Sequence, residues 1–226
     1  MGLEFTTTDV ASQLSGIKVL VYGQAGVGKT KLCSTAPAPL LISAEAGELS
    51  LRAHKIPMVK IRTVQDLTDV YDWINRSQEA RQFQTICIDS LSEIAEVVLC
   101  NAKRQVKDPR QAYGELIEKM ETVIRLFRDL PGRNVYMSAK IEPMKDELTG
   151  VVKYAPAMPG SKLGHKLPFF FDEVFRMGIN KTPQGIEYRF LQTQPDMQYE
   201  AKDRSGSLSP IEEPDLTKIF SKIMGV

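Results

Sequence analysis

Cysteine is scarce in this 226-residue chain: Cys33, Cys87 and Cys100 are three, an odd number, and none forms a C-x-x-C pair. A disulfide framework and a thiolate zinc site are excluded, and small reduced thiols in a cytoplasmic compartment are expected. Only two histidines occur, so His54 and His165 are read as structural or surface side chains with no metal partner. No apolar run approaches the roughly 18 residues that span a membrane, and Met1-Gly-Leu-Glu-Phe lacks the basic start and apolar core of a signal peptide. The expected location is the cytoplasm, with no membrane partner. Charge of one sign is lacking too. The formal net charge is +1, so no global basic field advertises nucleic acid, and contact with DNA has to come from local patches.

What is present is an ordinary globular composition, 42% hydrophobic and 25% charged, long enough for one domain with a small appendage. The chain is organised around Gly23-Gln24-Ala25-Gly26-Val27-Gly28-Lys29-Thr30, which has the G-x-x-x-x-G-K-S/T spacing of a phosphate-binding loop. The apolar run Ile17–Tyr22 before it predicts a strand, and Lys29–Cys33 can open a helix. Gly23, Gly26 and Gly28 let the backbone turn its N–H groups inward as an anion cradle. Lys29 would reach the β- and γ-phosphates of ATP, and the Thr30 hydroxyl would hold Mg²⁺. Lys31 completes the candidate nucleotide-binding set.

Further along, Leu40-Leu-Ile-Ser-Ala predicts a buried strand ending at Glu45, and Met58–Ile61 a short third strand. Thr63 and Asp66 are spaced as an N-cap pair for a helix over 63–75. Phe83–Asp89 is an apolar strand ending in an acid, and Asp89 would bind the Mg²⁺ opposite Thr30. Ser90 and Glu93 form a second capping box. Residues 102–110 read as a basic interruption, Tyr113–Leu130 as an amphipathic helix stopped by Pro131-Gly132, and Asn134–Ala139 as a buried strand with Lys140 at its end. Residues 142–165, polar with Gly and Pro, read as a long loop. Glu173–Ile179 and Ile186–Gln192 alternate as a hairpin turning over 180–185, and Asp215–Met224 is a short amphipathic helix. Alternating strands and helices argue an α/β fold: a mostly parallel sheet flanked by helices, ending in an antiparallel hairpin. The site is expected at the carboxyl ends of the strands. The expected layout is an N-terminal arm over 1–16, an ATPase core over 17–205, and a tail with a short helix over 206–226.

Missing motifs narrow the class. Asp89-Ser-Leu-Ser92 is not the D-x-x-G of a GTPase, Asn180-Lys-Thr-Pro183 lacks the guanine-reading Asp, and Ser90 stands where an AAA+ enzyme has its catalytic Glu. A hydrolase must then take its water-activating carboxylate from elsewhere, and Glu45 at the neighbouring strand end is the candidate.

On these residues the chain resembles the RecA core, a P-loop NTPase. Leu40–Glu45 looks like that family's strand ending in the catalytic Glu, and Val135–Lys140 like the strand whose last residue senses the γ-phosphate; Lys140 stands where the family commonly has Gln. Lys103–Tyr113 and residues 142–165 match the positions of the two DNA-binding loops. Lys202 and Arg204 resemble the basic pair that enters a neighbouring subunit's ATP site. Gln194–Arg204 is similar to phage-encoded single-strand annealing proteins built on a minimal RecA core. The resemblance implies an ATPase that binds single-stranded DNA, promotes annealing or homologous recombination, and forms rings or filaments, with a single-strand-binding protein as a further partner. Lys103, Arg104, Lys107 and Arg110 in one segment, and Lys153, Lys162 and Lys166 in the other, would follow the phosphate backbone, with Tyr154 stacking on a base. A small-molecule or nucleoside kinase on the same loop, and a nucleotide-gated assembly factor without hydrolysis, are the alternatives.

Overall fold

Lys18–Tyr22 (β1) is buried at every position, as a strand covered on both faces must be. In the computed structural model, which describes residues 7, 10, 15–45, 47–145 and 150–225, β1 lies at the centre of a ten-stranded sheet. The arm expected over 1–16 falls almost wholly outside those residues. The phosphate loop leads from β1 into a one-turn helix, Lys29–Leu32 (α1), prolonged as a 3-10 turn over Cys33–Thr35. Ala36 is extended, as a residue before proline tends to be, and Pro37 stops the helix there.

Pro39–Ser43 (β2), Met58–Lys60 (β3) and Thr85–Asp89 (β4) extend the sheet on one side. Between β3 and β4 runs Val64–Arg76 (α2), whose Thr63–Asp66 capping box forms as expected. Leu91–Gln105 (α3) starts from a Ser90 side-chain cap, but only half of the expected box forms: the Glu93 carboxylate turns to Lys140 instead of back to the cap. The basic interruption over 102–110 is shorter than its sequence suggests. α3 runs to Gln105, and Pro109–Arg128 (α4) begins behind an Asp108 cap with Pro109 in its first turn, where a missing N–H costs nothing.

Asn134–Lys145 (β5) lies between β1 and β4, so the phosphate-loop strand and the Asp89 strand are separated by one strand. The loop expected over 142–165 is a correction. β5 continues to Lys145 and pairs antiparallel with Val152–Ala157 (β6), followed by the helix Ser161–Phe170 (α5); residues 146–149 of the expected loop lie outside the described residues. Glu173–Lys181 (β7) and Glu187–Gln192 (β8) make the expected hairpin, β7 running two residues further than predicted and β8 starting one residue later. Lys202–Asp203 (β9) pairs with β7, Ile211–Glu212 (β10) with β8, and Leu216–Met224 (α6) closes the chain. The tail is part of the body. Leu216, Ile219 and Phe220 of α6 pack with Leu32, Cys33 and Val19 on one face of the sheet, while α2 to α5 cover the other with Leu67, Ile94, Leu116 and Leu167. β3, β2, β4, β5, β1 and β7 pair in parallel in that order, and β8, β9 and β10 join the main sheet antiparallel. Cys33 and Cys87 are buried and Cys100 is exposed.

Candidate functional site

β1 ends at Tyr22, opposite Ala139 of β5 and Arg176 of β7. Both neighbours run on, to Lys145 and Lys181, so the phosphate loop leaves the sheet at the bottom of a notch between two projecting hairpins. A cavity of about 120 Å³ in this notch is lined by Gln24, Ala25, Ile141, Met177 and Tyr199. A larger one, about 490 Å³, lies away from the loop between the β5–β6 hairpin and α5, lined by Met144, Val151, Lys153, His165 and Phe169.

Close approach dictates the glycine at position 23. A Cβ on Gly23 would stand 2.6 Å from the Met177 carbonyl, so any side chain would push the loop off β7. Gly28 adopts φ +113, a left-handed conformation open to glycine. The Lys29 ammonium turns onto the carbonyls of Gly23 and Gln24, at 2.8 Å each. Burial lowers its pKa, while the carboxylates of Glu45 and Asp89 pull it back up, which places both acids within electrostatic reach of the ammonium.

Asp89 is 1% exposed at the end of β4. Its Oδ2 accepts from Thr30 Oγ1 at 2.6 Å, and its Oδ1 accepts from Ser138 Oγ of β5. Thr30 and Asp89, 59 residues apart in sequence, thus present two hard oxygen donors side by side, the donor chemistry that suits Mg²⁺. Glu45 lies two residues past β2, its backbone held by the Ser43 hydroxyl and its Oε1 accepting from Ser90 Oγ. Lys140 is exposed; its N–H donates to Ser92 Oγ at 2.9 Å and its ammonium pairs with Glu93, which raises its pKa. Gln24, Ala25, Gly26 and Lys31 are exposed around the loop and Val27 is buried beneath it.

Four contributors have no counterpart among the residues predicted as the site. Ser138 and Ser90 hold the two acids. Tyr136 Oη, fully buried, donates to the Lys29 carbonyl at 2.9 Å. Arg189 of β8 donates from Nε to the Val27 carbonyl at 2.9 Å. A polar residue inside a buried strand was a signal for Ser138; for Arg189 the sequence carries none.

The two segments predicted for DNA meet. Tyr113 of α4 lies against the β6–α5 turn, where a Cβ on Gly160 would stand 3.2 Å from its ring, and Lys103 at the end of α3 sits 5.6 Å from the same ring. Arg104, Lys107, Arg110 and Lys162 are exposed. Lys153 is engaged with Glu200 at 3.4 Å, and Lys166 with Glu121 at 2.6 Å. Tyr154 stacks on Tyr199 at 5.4 Å, which in turn lies under the Arg176 guanidinium at 4.0 Å.

Lys202 and Arg204 are at the other end of the sheet. Asp203 pairs with Glu173, which pairs with Val19, so the turn lies beside the amino end of β1, about 17 Å of strand from Gly23. The pair cannot serve its own phosphate loop. Lys202 caps the end of α5, donating to the carbonyls of Pro168 (2.6 Å) and Phe171, and burial lowers its pKa. Arg204 pairs with Asp172 at 2.9 Å and its side chain stays 60% exposed.

Beneath this turn Glu173 is 1% exposed, and its Oε2 is the one buried side-chain oxygen without a partner among the described residues. Burial pushes its carboxyl up to about 7, and Asp203 and Asp172 add to the rise against the pull of the Ser205 N–H. The folded chain therefore keeps this proton between an ordinary value of 4.5 and about 7. The stability it contributes is full below the unfolded value and is lost as pH rises through the folded one. Glu173→Gln, which removes the charge, is expected to be more stable than the parent at pH 8 by about 3 kcal/mol, and no different at pH 4.5. Denaturant titration at both pH values checks this; a difference independent of pH contradicts it.

A family profile described as an AAA domain matches residues 15–205. No curated protein matches the chain. Among matching solved structures is a KaiC-like protein, PH0186, from the hyperthermophilic archaeon Pyrococcus horikoshii OT3, with 16% identity over 78% of this chain and 77% of that one and a TM-score of 0.43. No helix of the described residues is long and apolar enough to cross a membrane. The profile spans the phosphate loop, Glu45, Asp89 and the whole parallel part of the sheet, and the chain belongs to the AAA domain family, as a nucleotide-binding P-loop ATPase with an α/β core.

Proposed function

We propose that this chain hydrolyses ATP with Mg²⁺ at the Gly23–Thr30 loop, and that single-stranded DNA bound on the α3–α4 and β6–α5 face stimulates the reaction during annealing or recombination. The observation that carries the ATPase part is the convergence of Lys29, Thr30, Asp89 and Glu45 from three strand ends, with Thr30 and Asp89 oxygens 2.6 Å apart. Loop N–H groups and Lys29 hold the β- and γ-phosphates. Thr30 and Asp89 are the groups that would hold Mg²⁺, whose charge offsets that of the phosphate oxygens. Glu45, fixed by Ser90, orients water and takes its proton. The water oxygen forms a bond to the γ-phosphorus, the bond to the β–γ bridging oxygen breaks, and ADP leaves with the electron pair.

One placement supports an oligomer with shared sites. Arg204 is exposed at the end of the sheet opposite its own loop, and phosphoryl transfer gains from a further cation beyond Lys29. Stacked head to tail, the copies would set the Arg204 of one near the phosphate loop of the next. For DNA, the support is that Lys103 lies over Tyr113 beside the β6–α5 turn, and that Arg104, Lys107, Arg110 and Lys162 of the same two segments are exposed.

ATP turnover, measured with and without single-stranded DNA at low and at higher salt, tests the reading. Stimulation that fades as salt rises is expected; turnover indifferent to DNA favours a kinase, and none at all a gated scaffold. Arg204→Ala and Glu45→Gln, each inactive alone, are expected to recover activity when mixed, because mixed interfaces pair an intact Glu45 with an intact Arg204. Mixtures that stay inactive refute the shared site.

A further inference from the structure

We propose that Arg189, on the hairpin strand β8, is a positioning residue of the nucleotide site, holding the phosphate loop in the conformation that binds polyphosphate. The inference rests on the nucleotide-binding reading of that loop. The Arg189 guanidinium lies against the loop: Nε donates to the Val27 carbonyl at 2.9 Å, and a Cβ on Gly28 would stand 3.4 Å from its Cδ and Nε. The carbonyl of Val27 and the N–H of Gly28 belong to one trans peptide unit, so they point in opposite directions. A donor that fixes the carbonyl outward fixes the Gly28 N–H inward.

Charge adds to geometry. A hydrogen bond from a cation is about twice as strong as a neutral one, and it polarises the peptide it binds, making the N–H on the far side a better donor. Among the described residues Arg189 has no carboxylate partner; the Val27 carbonyl is its one hydrogen-bonding contact. Unlike Arg204, whose charge is met by Asp172, or Lys140, met by Glu93, its full positive charge stays at the rim of the cradle. Its anchorage is rigid. Arg189 stands opposite Ile179 in the ladder, beside Phe190, whose ring is seated where Gly178 leaves room; a Cβ there would be 2.7 Å from that ring. Met177 of the same hairpin also packs against Gly28, its Cε 3.1 Å from where a Cβ would be. The hairpin therefore grips the second half of the loop through one ionic hydrogen bond and one methionine.

The test is binding of MgATP and of magnesium tripolyphosphate to the full chain and to Arg189→Ala and Arg189→Lys, with turnover and the melting temperature without nucleotide recorded for each. Wild-type binding of MgATP is measured first; its absence removes the nucleotide reading, and this inference with it. Given that binding, Arg189→Ala is expected to weaken both ligands equally, by about tenfold, to raise KM with kcat nearly unchanged, and to leave the nucleotide-free melting temperature in place. Arg189→Lys, which keeps the charge and a donor, is expected to restore most of the affinity. Unchanged affinity in Arg189→Ala, a loss confined to MgATP, or a Lys variant as weak as the Ala variant overturns the proposal. So does a fall in melting temperature that accounts for the lost binding.

Discussion

Lys29→Ala is expected to lower the affinity for MgATP by about 100-fold or more while leaving the chain folded. The ammonium is the one cation inside the loop, and burial together with the nearby Glu45 and Asp89 carboxylates makes its position sensitive to what else carries charge there. Each charge-assisted hydrogen bond to phosphate is worth about 1.5–3 kcal/mol, and two phosphate groups are within the reach of this side chain by the spacing of the motif. The cost to the fold is small. Its two intramolecular acceptors, the carbonyls of Gly23 and Gln24, lie where water can replace the ammonium. Equilibrium binding, with melting temperature as the control, checks it; affinity retained in the Ala variant would sink the phosphate-loop assignment.

Glu45→Gln should act on a different quantity. Gln keeps the size of the side chain and an oxygen for the Ser90 hydroxyl that now donates to Oε1, but it cannot take a proton from water. An interaction used only in the transition state changes kcat and leaves ground-state binding alone. The expected loss is about 10²–10⁴ in turnover, the usual share of a general base, with affinity for MgATP within about twofold. The contrast between the two variants separates holding the triphosphate from cleaving it.

The residues legible in the sequence are those whose type and spacing are set by phosphate chemistry within one turn of chain, Gly23 to Thr30, and Asp89, which closes a buried strand. The prolines misled the reading of 142–165. Pro143 and Pro156 sit in the β5–β6 hairpin, which branches off the main sheet, and strands at an edge tolerate proline that central strands do not. Pro109 similarly looked like a break and is a helix start. The supporting side chains were out of reach for another reason. Ser138 meets Asp89 across 49 residues, Tyr136 meets Lys29 across 107, and Arg189 meets Val27 across 162. Strand order and register bring them together, and neither is written in local spacing. Lys202 shows the reverse: a basic residue in a suggestive pair, whose ammonium the fold uses to cap α5.

The most direct test measures MgATP binding and phosphate release side by side on the wild-type chain, Lys29→Ala and Glu45→Gln. The account predicts that the wild type binds and releases phosphate, that Lys29→Ala does neither, and that Glu45→Gln binds as the wild type does but releases phosphate at least about 100-fold more slowly. A Glu45→Gln chain that turns ATP over at the wild-type rate would contradict it.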